Sequence, residues 1–326
     1  MEKKLLIVCG PTATGKTSLA LGLAKKFNGE LISADSRQVY IGMDVGTGKD
    51  LPENAKLTRL NRSPIKSGMT MNFYEIDGIK LWAYDLVDPL EEFSVAHYTE
   101  IVQPIIKDIW ERGKLPILVG GTGFYIKALV DGIDTMHVPS DPSLRYELNS
   151  WPIERLFEKL QLLDPDKASS MNGSDRKNPA RLIRAIEVTY WKRSPEGKKY
   201  IPTESIHTDT LFIGLTLPRA KLFERIADRV VARVDAGIKE EIESLLIQDI
   251  SWEHQSMKTL GYREWQPFFD GTKTQHEVVL EWIADEQKYA KRQMTWFQKD
   301  KRITWFDVSE DGYKKSIEEI IKKWHT

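Results

Sequence analysis

The chain has 326 residues, of which 41% are hydrophobic and 29% are charged, with a net charge of −1. This composition is ordinary for a globular enzyme of one large or two modest domains, and it restricts any nucleic-acid surface to a local patch. The single cysteine, Cys9, excludes a disulfide framework and a cysteine-based zinc finger. No apolar run reaches the roughly 20 residues of a membrane span. We therefore expect a cytoplasmic protein with no membrane segment.

Short apolar runs alternate with helical patterns in the first part of the chain. Residues 5–8, 30–34 and 115–119 are predicted strands, and the continuous apolar runs among them are typical of strands buried on both faces. Helices are predicted at 18–27 and 124–130. Strands alternating with helices indicate an α/β fold with a parallel sheet, whose ligand site lies at the carboxyl ends of the strands.

The later segments predict an insertion within this core. Asp77-Gly78 separates two strand-like runs, which predicts a β-hairpin over 72–84 appended to the core. After Pro139 the pattern becomes helical and charged, residues 211–215 return as a strand, and the chain from Pro218 onward is predicted to be mostly helical. We expect a core of residues 1–138 and 206–326, with a mainly helical insertion at 139–205.

A phosphate-binding loop follows the first predicted strand and precedes the first predicted helix. Its glycines let backbone N–H groups surround phosphate oxygens, its lysine supplies a charge, and its threonine hydroxyl can bind Mg²⁺. This pattern identifies a phosphate or pyrophosphate ligand without identifying a nucleotide. The loop residues are Gly10, Pro11, Thr12, Ala13, Thr14, Gly15, Lys16 and Thr17.

Two further polar clusters stand at the ends of predicted strands. Asp35 suits three roles: a cap of a turn, an indirect Mg²⁺ ligand, or a general base. Thr122, within Gly120-Gly-Thr-Gly123, either caps the following helix or lines the ligand cavity. Physical reasoning from the residues alone leaves these alternatives open.

Basic residues concentrate in the predicted insertion. Between Arg176 and Lys199 there are eight basic and two acidic residues, which suits either an anionic polymer or a solvated face. The spacing of Lys177, Arg181 and Arg184 predicts one shared helix face, with Asn178-Pro179 as the helix start.

Aromatic and basic residues also mix near the end of the chain, from Tyr289 to Trp305. They suit stacking on unpaired bases or packing into the core, and we expect Trp296 in the core. Arg225, Arg229 and Arg233 repeat every fourth residue, so at least one should face the phosphate site.

Taken together, these stretches resemble the tRNA dimethylallyltransferases of the bacterial type. The resemblance rests on "GPTATGKTSLA", "LISADSRQVYIGMDVGTGK", "GKLPILVGGTGFYIKAL", "RLIRAIEV", "LGYREW" and "YAKRQMTWF", which occur in the family's order over residues 10–297. In that family the loop holds the pyrophosphate of dimethylallyl diphosphate rather than a nucleoside triphosphate.

The resemblance implies transfer of a dimethylallyl group to the exocyclic amine of the adenosine that follows the anticodon. It implies that Asp35 is the base, that Thr17 holds Mg²⁺, and that Lys16, Thr122 and Arg229 neutralise the leaving group. The implied partners are the tRNA anticodon stem-loop and dimethylallyl diphosphate, and we expect a monomer. The implied tRNA contacts are Asp35, Ser36, Arg37, Gln38, Thr122, Arg145, Ala180, Arg181, Leu182, Ile183, Arg184, Lys258, Thr259, Leu260, Gly261, Tyr262 and Arg263.

The chain departs from the family pattern in three places. The segment 50–81 is longer than the expected link, and Glu286-Gln287-Lys288 stands where the family usually has Thr-Arg-Gln. A carboxyl-terminal Cys/His extension is absent, which favours the bacterial form.

Three alternative functions share part of this pattern. An adenylate isopentenyltransferase has the same loop and base but a small acceptor, which needs no basic insertion. A small-molecule kinase is supported by the loop alone, and a non-catalytic RNA-binding protein leaves Asp35 without a task.

Overall fold

The computed structural model describes residues 3–60, 71–200, 205, 206 and 208–325. The described strands are β1 (Lys4–Cys9), β2 (Gly29–Ser33), β3 (Lys56–Leu60), β4 (Met71–Ile76), β5 (Ile79–Trp82), β6 (Leu115–Gly120), β7 (Asp209–Thr216) and β8 (Ile303–Asp307). The described helices are α1 (Lys16–Lys26), α2 (Val95–Glu111), α3 (Gly123–Val130), α4 (Pro142–Asn149), α5 (Ile153–Leu163), α6 (Pro165–Ser170), α7 (Gly173–Arg176), α8 (Pro179–Arg193), α9 (Arg219–Asp235), α10 (Ile238–Ile247), α11 (Gln266–Phe269), α12 (Gln275–Phe297) and α13 (Tyr313–His325). The described chain forms two compact units, one from residues 1–131 and 206–326 and the other from 132–205.

The larger unit is built on one sheet with the strand order β3-β4-β5-β2-β6-β1-β7-β8. From β5 to β8 the neighbouring strands are parallel, and the first three strands pair antiparallel. The predicted α/β fold with a parallel sheet is confirmed. The parallel arrangement brings the carboxyl ends of β1, β2 and β6 together, which is where the polar clusters of the sequence lie.

Helices cover both faces of this sheet, which explains the continuous apolar runs in its central strands. In β1, Leu5 and Ile7 pack into a core with α2, α3 and α12, whereas Leu6 and Val8 pack into a second core with α1 and α13. All four side chains are fully buried. This rigid centre carries the loops that form the site.

The predicted hairpin is confirmed, with Ile76 opposite Ile79 across the turn. Asp77 has a φ of 50° and Gly78 a φ of 79°, the left-handed values that this type of turn requires. The hairpin is part of the main sheet rather than an appendage, because β5 pairs with β2. Segment 50–81 therefore contributes strands to one edge of this sheet. Residues 61–70 of that segment lie outside the described residues.

The prediction for the end of the chain missed one strand. Residues from Pro218 onward are mostly helical, but β8 pairs with β7 at the other sheet edge. β8 is a short run with one strand partner, and its residues do not alternate clearly between apolar and polar. The local pattern therefore did not predict a strand there.

The 132–205 unit contains α4 to α8 around a small core of its own. The Asn178 side chain caps α8 by accepting a hydrogen bond from the Arg181 N–H, as predicted. Leu182 and Ile186 of α8 are fully buried in this core. Lys177 ends α7 and lies outside α8, so the predicted single helix face of Lys177, Arg181 and Arg184 is wrong.

Candidate active site

The phosphate-binding loop joins the end of β1 to the start of α1. Gly10 has a φ of 135°, and a Cβ there would lie 2.3 Å from the Leu215 carbonyl oxygen, so only glycine fits. Gly15 precedes α1 in the left-handed conformation and has no side chain to cap the helix. The first turn of α1 is therefore open to an anion, whose charge the helix dipole stabilises.

Lys16 projects from this turn into the loop, where its ammonium donates to the Pro11 carbonyl oxygen at 2.6 Å. Burial, together with the nearby Arg229 and against the opposing effect of Asp35, lowers the pKa of Lys16 to about 8. The charged form of a partly buried ammonium beside a guanidinium is stabilised by a bound anion. The anion replaces the lost hydration and neutralises part of the positive charge.

Asp35 follows β2 and lies in the same cleft as Lys16. Its Oδ1 accepts a hydrogen bond from the Arg37 N–H at 3.0 Å and lies 3.7 Å from the Arg37 Nε. Asp35 thus closes a turn, as one alternative predicted. Because both contacts use Oδ1, Oδ2 can accept a proton from a ligand in the cleft, and the general-base role remains compatible with the geometry.

Thr122 stands at the end of β6, just before α3. Its Oγ1 accepts a hydrogen bond from the Ser36 N–H at 3.1 Å, and it makes no capping bond to α3. The capping alternative is therefore wrong. Thr122 instead ties the loop after β6 to the Asp35–Gln38 turn.

Gln293 of α12 performs a similar function, which the sequence did not predict. Its side-chain amide accepts from the Thr12 N–H at 2.9 Å and donates to the Gly121 carbonyl oxygen at 3.0 Å. One buried side chain thus connects the phosphate loop to the loop after β6. One indication in the sequence was that Gln293 lies in "YAKRQMTWF", a stretch on which the family resemblance rests.

The three arginines of α9 have different environments. Arg225 and Arg229 line the cleft, as expected for at least one of them, whereas Arg233 is buried. The Arg229 guanidinium donates from Nη1 to the Thr12 Oγ1 at 3.0 Å and from Nη2 to the Gly48 carbonyl oxygen at 3.0 Å. Arg229 also forms an ion pair with Asp50, whose Oδ2 accepts from Nε at 2.9 Å.

A buried carboxylate, Glu286, lies behind the cleft. Glu286 Oε1 accepts from Arg37 Nη1 at 3.0 Å and from Arg233 Nη1 at 3.2 Å. Burial alone would raise the pKa of Glu286, but Arg37 and Arg233 together hold it below the ordinary value. Burial likewise opposes the charge on Arg37, while Glu286 and Asp35 raise the pKa of Arg37 above its usual range.

Two of the implied tRNA contacts, Arg37 and Gln38, have side chains that already bind other groups of the protein. The Arg37 guanidinium is committed to Glu286 and lies over the Tyr289 ring, 4.8 Å from its centroid. The Gln38 side chain donates to the Gly48 carbonyl oxygen and accepts from the Ser33 hydroxyl, both at 3.0 Å. Both residues line the cleft, which has a volume of about 930 Å³. That volume is within the range of ordinary small-molecule binding sites.

The expected tRNA contacts in the 132–205 unit divide into exposed and buried groups. Leu182 and Ile183 are buried, so their side chains pack in the core and leave only their backbone for a partner. Arg145 and Arg184 bind the buried Glu187, and Arg184 also donates to the Thr135 and Val138 carbonyl oxygens. Arg181 is more than half exposed and pairs with Asp175.

The expected contacts at 258–263 divide in the same way. Lys258 and Arg263 are exposed and pair with Glu253 and Asp285, respectively. Leu260 and Tyr262 are buried, and the Tyr262 hydroxyl donates to Glu241 at 2.5 Å.

Trp296, expected in the core, is 40% exposed, so that prediction is wrong.

Comparison with known proteins places this cleft in a family. A family model described as IPP transferase matches residues 68–300, and one described as isopentenyl transferase matches residues 3–71. A tRNA dimethylallyltransferase of Carboxydothermus hydrogenoformans is 36% identical over 98% of this chain and 97% of its own. One from Halalkalibacterium halodurans is 35% identical over 98% and 96% of the two chains. The chain belongs to the tRNA dimethylallyltransferase family.

Solved structures of tRNA dimethylallyltransferases agree in fold. A tRNA isopentenylpyrophosphate transferase of Bacillus halodurans has a TM-score of 0.69 at 35% identity, covering 99% of this chain and 96% of its own. A eukaryotic dimethylallyltransferase acting on tRNA has a TM-score of 0.75 at 26% identity, covering 98% and 78%. The family resemblance is confirmed, and the chain is a prenyltransferase of this family. No described helix is long and apolar enough to cross a membrane.

Proposed function

We propose that this enzyme transfers a dimethylallyl group from dimethylallyl diphosphate to the N6 amine of the adenosine 3′-adjacent to the tRNA anticodon, releasing pyrophosphate. One observation carries the proposal. A complete phosphate loop and a strand-end carboxylate, Asp35, line one cleft in a chain that matches tRNA dimethylallyltransferases along nearly its whole length.

The geometry suggests how the reaction proceeds. The bond between the allylic carbon and the bridging oxygen of the diphosphate breaks, and its electron pair leaves with pyrophosphate. The amine nitrogen forms the new bond to carbon, and its proton passes to Asp35. Lys16 and Arg229 lie where they can neutralise the departing charge, and the Thr122 hydroxyl fixes the turn that carries Asp35.

The loop also fits a divalent cation. Mg²⁺ usually keeps several waters and binds through one or two protein oxygens together with substrate phosphates. Thr17 lines the cleft beside Lys16, and in the described part of the chain no group of three or more His, Cys, Asp or Glu residues could hold a metal alone. We propose Thr17 as the protein ligand of Mg²⁺, which would stabilise charge on the diphosphate when bound.

The 132–205 unit and residues 258–263 are proposed to contact the tRNA anticodon stem-loop. The exposed basic residues there, Arg181, Lys258 and Arg263, suit phosphate contacts that position the RNA. We propose that the enzyme acts as a monomer. The adenosine must leave its stack to reach Asp35, which an unpaired loop base does at small cost.

Incubation of the protein with labelled dimethylallyl diphosphate, Mg²⁺ and either tRNA or AMP tests the proposal. Label should enter tRNA, at the adenosine next to the anticodon. Label in AMP alone would identify an adenylate isopentenyltransferase, and no transfer to either acceptor would refute prenyl transfer.

Lys16→Ala is expected to weaken pyrophosphate binding by at least about 100-fold, because a buried charge-assisted contact is lost. Lys25→Ala is the matched control: Lys25 also lines the cleft but is half exposed and pairs with Asp77. Calorimetric titration with pyrophosphate measures both. Equal losses in the two variants would show that only the overall charge of the cleft matters.

Arg181→Ala is expected to flatten the plot of log tRNA affinity against log salt by about one unit, because each phosphate contact releases counterions. Arg184→Ala should instead lower the melting temperature, since Arg184 holds two carbonyl groups and Glu187. Filter binding at several salt concentrations measures the slope. An unchanged slope for Arg181→Ala would make this a solvated face.

A further inference from the structure

Arg229 is almost saturated by acceptors of the protein itself. A guanidinium has five N–H donors. Four of them are used: one with the Thr12 hydroxyl, one with the Gly48 carbonyl oxygen and two with the Asp50 carboxylate. A diphosphate oxygen in the cleft can therefore accept only one N–H from Arg229 while Asp50 stays in place.

Asp50 is well placed to compete with an anion. It lines the same cleft as Lys16 and Arg229, and its side chain is more than half exposed. It holds two adjacent donors of Arg229, the pair that a phosphate would take in bidentate fashion. The Asp50 carboxylate and a diphosphate oxygen are similar hydrogen-bond acceptors. When one of them is bonded to Arg229, the guanidinium attracts the other less strongly.

The backbone conformation at residue 50 favours an aspartate there. Its φ of 47° lies in the left-handed region, which asparagine, aspartate and glycine tolerate best. Asp228 of α9 also lines the cleft and is exposed, but the hydrogen bonds of the Arg229 guanidinium go to Thr12, Gly48 and Asp50. Asp50 and Asp228 thus place the same charge in one cleft. Of these two carboxylates, only Asp50 accepts hydrogen bonds from the Arg229 guanidinium.

We propose that Asp50 is an internal competitor for Arg229, which limits how tightly the cleft holds pyrophosphate and so promotes release of that product. The inference rests on the proposed function for the identity of the product. With Asp50 present, Arg229 offers one donor to the diphosphate, and with Asp50 removed it offers three. Asp50 is a positioning residue in this scheme and does not touch the reacting carbon.

Calorimetric titration of the full chain with inorganic pyrophosphate in Mg²⁺ buffer tests this. Asp50→Asn keeps the backbone conformation and weakens the acceptor, and Asp50→Gly removes it. Both should bind pyrophosphate at least about tenfold more tightly than wild type, the effect of one or two recovered charge-assisted hydrogen bonds. Asp228→Asn removes the same charge and should change the affinity by less than about threefold, because an exposed charge is screened.

Kinetics provide a second measurement. In Asp50→Asn the first turnover with tRNA should keep its rate, while later turnovers slow and pyrophosphate inhibits more strongly. Unchanged or weaker pyrophosphate binding in both Asp50 variants would overturn the proposal and make Asp50 a strap that holds Arg229 in its binding position. A wild-type protein that binds no pyrophosphate would instead refute the proposed function.

Discussion

Asp35→Asn is expected to lower the single-turnover rate of transfer to tRNA by about 10²–10⁴, because the amide cannot take the proton from the attacking amine. Binding of tRNA and of dimethylallyl diphosphate should change little. The amide oxygen can still accept the Arg37 N–H, so the turn that Asp35 closes should persist. Rapid-quench measurement with saturating substrates separates this chemical step from binding.

Asp228→Asn is the control for this variant, since it removes an equal charge from the same cleft and Asp228 belongs to α9 rather than to the turn at Asp35. It should keep the rate within a few-fold of wild type. A near-normal rate for Asp35→Asn would reduce Asp35 to a turn cap. A loss accompanied by a lower melting temperature would show that the carboxylate acts through the fold.

The centre of the fold was predictable because its strands are buried on both faces. β1 and β6 are continuous apolar runs, and each ends in a glycine-containing loop, so strand, turn and helix follow from local chemistry. β3 and β8 are edge strands, each with a single strand partner: β3 pairs with β4, the next strand in the chain, and β8 pairs with the distant β7. Their local sequences do not identify these partners, so these edges required the structure.

The site shows the same division between local and distant information. Lys16, Asp35, Thr122 and Arg229 were predicted for one site, and the structure places them around the same cleft or its supporting turn. The contacts that fix them were not predictable. Arg37 and Glu286, for example, are 249 residues apart in the sequence, and nothing near either residue indicates that they form a buried pair.

Glu286 lies between two buried guanidinium groups. Without it, Arg233 would lose the carboxylate with which it pairs, and Arg37 would keep only the more distant Asp35, 3.7 Å from its Nε. Glu286 compensates both. Glu286 therefore forms a buried charge cluster that joins α9 and α12 to the Asp35 turn.

Glu286→Gln is expected to lower the free energy of unfolding by about 3–5 kcal/mol, the usual cost of removing one partner from a buried charge pair. The amide keeps the size of the side chain but removes the carboxylate that pairs with Arg233, and it leaves Arg37 with only the 3.7 Å contact to Asp35. Urea unfolding followed by circular dichroism measures the difference. Glu318→Gln is the control: Glu318 pairs with Lys26 at the surface and should cost less than about 1 kcal/mol.

The pH dependence gives this prediction a second, independent test. The pKa of Glu286 in the folded protein lies below its ordinary value of 4.5, because Arg37 and Arg233 outweigh the effect of burial. A carboxylate whose folded pKa is depressed contributes stability above its unfolded pKa and loses that contribution as pH falls through the folded value. The stability difference between wild type and Glu286→Gln should therefore be constant near neutral pH and shrink as the solution is acidified below about 4.5. A difference that stays the same down to the acid transition would mean that Glu286 stabilises the fold by packing alone, with its charge making no net contribution.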